Sequence, residues 1–138
     1  MPAPRLHLIP RRIRLLALAL GSLAAATGSV SGQQPKREFS VSAHKYGYRV
    51  SGTDRPEIRV TQGDVVKILF EAEDIPHSFT MEGNSPYRIM KRAEPGRPPV
   101  TIEFLADTPG SFPFVCNLPI DERCLRETRG MLIVERRK

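Results

Sequence analysis

The feature that most narrows what this chain can fold into is a period of two in its apolar residues, repeated in short runs between turn clusters. Phe39, Val41 and Ala43 alternate with polar neighbours, Tyr46, Tyr48 and Val50 resume the pattern after a break at His44-Lys45, and Ile58 and Val60 repeat it. Val65 to Ala72 is a longer apolar run, Ile75 to Met81 a short one entered through Pro76, and Val100, Ile102, Phe104 and Ala106 alternate again before Ser111–Cys116 and Met131–Glu135. Successive side chains on a strand point to opposite faces, so each run describes a ribbon with a buried side. The residues between the runs agree: Ser51 to Pro56, Thr61-Gln62-Gly63-Asp64 and Asp107-Thr108-Pro109-Gly110 are rich in turn formers, with Gly63 placed to take a positive φ. No stretch of ten or more residues carries the 3.6-residue helical period. Seven or eight short strands at such intervals predict an all-β sandwich or barrel, with Phe39, Phe70, Phe79, Phe104, Phe112 and Phe114 in its core. Residues 87–99 lack a clean period and read as a loop with a short strand near Tyr87–Met90; Asn117 to Arg129 reads as a polar loop.

A chain of 138 residues fits one domain, and its beginning has the order of an export signal. Arg5, Arg11, Arg12 and Arg14 precede an uncharged, largely apolar run from Leu15 to Val30, which small residues follow at Ser31-Gly32. Gly21, Ser22, Thr27 and Gly28 interrupt that run, which falls short of the ~20 strongly apolar residues of a spanning helix. The expectation is therefore a signal peptide over residues 1–32, with an uncleaved anchor as the alternative and the only membrane contact. Residues 33–37 then form a polar leader and 38–138 the folded domain of a periplasmic or secreted protein. Loss of residues 1–32 removes four arginines and no acid, which lowers the net charge from +6 to +2. The remaining basic residues are scattered among acids, so nothing suggests nucleic-acid binding.

Three residues stand out for chemistry. Cys116 ends one strand, Cys124 follows after seven intervening residues, and His77 opens the strand after Ile75-Pro76. In an oxidising compartment the cysteines have two readings. They close a small disulfide loop that contributes about 2–3 kcal/mol through chain entropy, or they ligate a metal. Glu71, Glu73, Asp74 and Glu82 read as solvated positions, and Met81 and Met90 as gap-filling side chains. There is no Ser/His/Asp order, phosphate-cradling glycine loop or HExxH helix, so a non-enzyme is expected.

Four pieces of sequence, in order, resemble the cupredoxins, the small copper-binding β-sandwiches that include blue-copper proteins and the soluble domain of cytochrome oxidase subunit II. They are Ile58-x-Val60-x-x-Gly63-Asp64-x-Val66, Pro76-His77-Ser78-Phe79, Pro109-Gly110-x-Phe112-x-Phe114-x-Cys116 and Gly130-x-Leu132-x-Val134. The resemblance implies copper as cofactor, with His77 and Cys116 as ligands, and a respiratory oxidase or another redox or copper-delivery protein as partner. Imidazole and thiolate are indeed donors that suit copper. The chain departs from the pattern in the loop, where the second histidine falls by count on Asp121 and the methionine on Thr128. A single copper ion held by His77, Cys116 and Cys124 fits the available donors, with Met131 as the first candidate for a fourth ligand and Asp121 the second. Two thiolates favour Cu(I), which turns the expectation towards copper handling as well as electron transfer. The alternative is a metal-free structural or interaction domain with a Cys116–Cys124 disulfide.

Overall fold

The computed structural model describes residues Gly32–Lys138. The expected signal segment, Gly32 apart, lies outside the described residues. Nine strands and one short helix follow in the order β1 (Lys36–His44), β2 (Gly47–Val50), β3 (Glu57–Thr61), β4 (Val65–Ala72), β5 (His77–Met81), β6 (Ile89–Ala93), β7 (Val100–Leu105), β8 (Gly110–Val115), α1 (Glu122–Glu127) and β9 (Arg129–Glu135). They form a four-stranded sheet in the order β2-β1-β4-β7 and a five-stranded sheet in the order β3-β9-β8-β5-β6. The chain changes sheet at β2–β3, β3–β4, β4–β5, β6–β7 and β7–β8, the interleaving expected of a Greek-key sandwich. The pairs β1–β4 and β3–β9 are parallel, and all the other ladders are antiparallel.

The period-two reading holds along these strands. In β4, Val66, Ile68, Phe70 and Ala72 are buried and alternate with more exposed residues, and Leu132 and Val134 do the same in β9. Tyr48 and Phe70 from one sheet meet Phe79 and Phe114 from the other, with Phe79 and Phe114 stacked at 4.4 Å between ring centroids. Aromatic contacts across the sandwich are what fix one sheet against the other. Of the six expected core phenylalanines, Phe70, Phe79 and Phe114 are fully buried, whereas Phe39, Phe104 and Phe112 pack partly buried at the margins. Gly63 has φ 90°, as its turn requires. Gly130 is needed for a different reason, since a Cβ there would collide with the Phe114 ring.

Three local expectations shift. The strand near Tyr87–Met90 forms at Ile89–Ala93 instead, because it takes its register from β5, pairing Met81 with Ile89 and His77 with Ala93. Lys36 and Arg37, assigned to the leader, join β1 and pair with Val65 and Val66. The polar loop after Cys116 contains α1, begun by Asp121, whose side chain accepts from the N–H groups of Arg123 and Cys124.

Candidate metal centre

His77, Cys116 and Cys124 converge at one end of the sandwich. Their donor atoms lie within 4.8 Å of one another, and all three side chains are buried. The placement follows from the topology. β9, β8 and β5 are neighbours in one sheet, so the start of β5 and the end of β8 bring His77 and Cys116 together. Phe114 faces the core opposite Gly130, and two residues further Cys116 faces the same way, its N–H donating to the Thr128 carbonyl at 3.2 Å. Cys124 arrives on α1 as its one buried residue, held by the Asp121 cap. Both cysteines are free thiols.

Each donor has a partner of its own. The Ser78 N–H points at Cys116 Sγ at 3.4 Å, and the Thr128 hydroxyl lies 3.2 Å from Cys124 Sγ. His77 places Nε2 at 2.8 Å from Asp74 Oδ1 and Nδ1 at 3.6 Å from Cys124 Sγ. Burial works to raise the Asp74 carboxyl, but the N–H groups of Lys45 and Ile75 and the His77 ring outweigh it and hold it at about 2. An ionised carboxylate only accepts, so Nε2 carries the proton and Nδ1 keeps its lone pair for the cysteines. A carboxylate behind the imidazole is the arrangement that fixes a metal-ligating histidine. Burial, then the charges of Cys116 and Asp121, push the Cys124 thiol up against the lowering effect of Thr128. Deprotonating it therefore needs a compensating cation nearby.

The three donors fit one transition ion. Bonds of about 2.3 Å to sulfur and about 2.0 Å to imidazole nitrogen set donors roughly 3.5–4 Å apart. The Cys124–His77 pair already stands at 3.6 Å. The widest pair, within 4.8 Å, has at most about 1 Å to close.

No protein-family model matches the chain, and no curated protein matches it. Solved structures do. A chain of a heme-copper terminal oxidase dimer is 23% identical over 77% of this chain and 68% of its own, with a TM-score of 0.61. The periplasmic domain of subunit II of cytochrome oxidase from Bradyrhizobium japonicum is 16% identical over 75% of this chain and 88% of its own, with a TM-score of 0.57. Auracyanin A, a blue copper protein from Chloroflexus aurantiacus, is 14% identical over 72% of this chain and 99% of its own, with a TM-score of 0.54. The fold is that of the cupredoxins.

Within this cupredoxin fold the two candidate fourth ligands are not brought to the cluster. Met131 alternates with the core-facing Gly130 and Leu132, so it lies half-buried on the outer face of β9, in a shallow groove with Arg55, Pro56 and Arg129. The strand's pleat, with side chains on alternate faces, is the reason. Asp121 is occupied by the α1 cap, with its Oδ2 accepting from the Tyr46 hydroxyl at 3.3 Å. Thr128 is what stands in the methionine's place, fully buried and in contact with both cysteines. The count back from Gly130 lands on it, but a threonine carries no ligand signal. Asp74 was equally hidden, since its role appears only once His77 turns towards it. Next to Cys116, Ser78, Thr80 and Asn117 form a closed hydrogen-bonded group that ties the start of the loop to β5.

Proposed function

We propose that the chain is an exported copper-binding cupredoxin, not an enzyme, that holds one copper ion through His77, Cys116 and Cys124 and serves in copper handling or electron transfer. The observation that supports this reading is the convergence of three buried donors, each with its own outer partner: Asp74 for His77, Ser78 for Cys116 and Thr128 for Cys124. Copper, when bound, supplies a soft centre that accepts thiolate and imidazole and changes oxidation state by one electron. The protein's part is to give up two thiol protons, keep the Nδ1 lone pair of His77 aimed inward and exclude water. A respiratory oxidase or another redox or copper-delivery protein is the proposed partner, in line with the oxidase chains this fold resembles.

The full chain loaded with Cu(II) is expected to show sulfur-to-copper charge-transfer absorption that weakens and shifts in Cys116→Ser and disappears when Cys124→Ser is added. A metal-free domain with a Cys116–Cys124 disulfide is the second reading, favoured by sulfurs within 4.8 Å of each other. It replaces the first if thiol titration of the unreduced protein finds no free sulfhydryl and no copper co-purifies. Export is tested by cell fractionation with N-terminal sequencing, where a chain beginning at Gln33 marks a cleaved signal.

A further inference from the structure

We infer that Thr128 sets the metal specificity of this site by keeping the protein's donors at three, so that Cu(I) is held in preference to Zn(II). The inference rests on the copper reading above and adds to it which ion, in which oxidation state, the pocket selects. Zinc in structural sites takes four protein ligands in a tetrahedron, whereas two thiolates and one imidazole form a complete set for soft Cu(I).

The nearby candidates for a fourth donor are engaged elsewhere. Asp74 is bound to the far nitrogen of the His77 ring, and Asp121 to the first turn of α1 and to Tyr46. Asn117 Oδ1 accepts from Ser78 and Thr80 at 2.8 and 3.0 Å. Met131 lies on the other face of β9. That leaves Thr128, which the β8–β9 register puts opposite Cys116. Its hydroxyl is neutral and hard, a poor donor to a soft ion, and at 3.2 Å from Cys124 Sγ it is placed to donate its proton to that sulfur. The same side chain therefore stabilises a thiolate and fills the position from which another ligand would reach.

Cysteine is close to threonine in size, and at this position it would complete a Cys₃His set, a zinc arrangement. The test uses the full chain, reduced and metal-free, as wild type, Thr128→Cys and Thr128→Val. Each is titrated with Cu(I) against a chromogenic Cu(I) chelator and with Zn(II) against a chromogenic Zn(II) chelator, and the Cu(I) forms are examined by X-ray absorption. Thr128→Cys is expected to bind Zn(II) at least ~100-fold more tightly than wild type, as a fourth ligand completes the tetrahedron. Thr128→Val keeps the shape without the hydroxyl and is expected to lose ~10-fold in Cu(I) affinity, the effect of removing an outer-shell partner. The wild-type Cu(I) spectrum is expected to show two sulfurs and one nitrogen and no fourth donor. Wild type that binds Zn(II) as tightly as Thr128→Cys, or a fourth donor in its Cu(I) spectrum, overturns the inference and leaves the copper reading standing. Wild type that binds no Cu(I) overturns both. Because the decisive variant gains an affinity, its result cannot come from loss of folding.

Discussion

Phe114 and Cys116 lie two residues apart on the same face of the chain, yet different forces hold them. Phe114 is fixed by area, stacked on Phe79 and edged by Tyr48, with Gly130 beneath it. Cys116 and its companions are fixed by single directional bonds, from Ser78 to one sulfur, Thr128 to the other and Asp74 to the imidazole. A packed aromatic core tolerates exchange for residues of like shape, whereas a buried polar cluster depends on every member. One end of this sandwich is therefore held by packed area and the other by single directional bonds.

Substitutions at the two ends test this contrast. The largest effect is expected for Phe114→Ala, at about 3–5 kcal/mol of unfolding free energy for a buried aromatic, read by urea denaturation of the metal-free protein. Asp74→Asn is next and acts at the other end. Its amide cannot serve as the same fixed acceptor, so copper affinity is expected to fall about 10–100-fold, with a loss of stability smaller than that of Phe114→Ala. A loss of stability as large as that of Phe114→Ala would erase the distinction. The same variant has a pH signature. Because the folded carboxyl sits at about 2, below its ordinary value, its stabilising contribution is complete above the ordinary carboxylate range. That contribution is lost as pH falls towards the folded value. Thermal unfolding between pH 5 and pH 2 is expected to fall less steeply in Asp74→Asn than in wild type. Asp121→Ala removes the α1 cap and is expected to lower the urea midpoint slightly, with weaker copper binding because Cys124 rides on that helix. Met131→Leu, on the outer face of β9, is expected to change neither copper affinity nor the X-ray absorption spectrum; a changed spectrum would return Met131 to the ligand set.

The sandwich was legible because alternation and turn chemistry are local. Val66, Ile68, Phe70 and Gly63 declare their roles in the sequence itself. The two sulfurs and the histidine were legible as donor types in a recognisable order. What surrounds them was not. α1 has six residues, too few to display a helical period, and only Asp121 with Glu122 in the first turn marks its start. Asp74 lies in an acidic stretch that reads as solvated, and its side chain is in fact 37% exposed while it grips a fully buried ring. Thr128 acquires meaning only from β8–β9 register, a relation between distant parts of the chain.

His77, Cys116 and Thr128 are anchored to three adjacent strands of one sheet, whereas Cys124 belongs to a single helical turn and a half between Asp121 and Thr128. The pocket is thus bounded by three residues tied to strand ladders and by one carried on a short helix outside them. Were that helix to swing outward, His77 and Cys116 would be uncovered without parting any rung of the strand ladders.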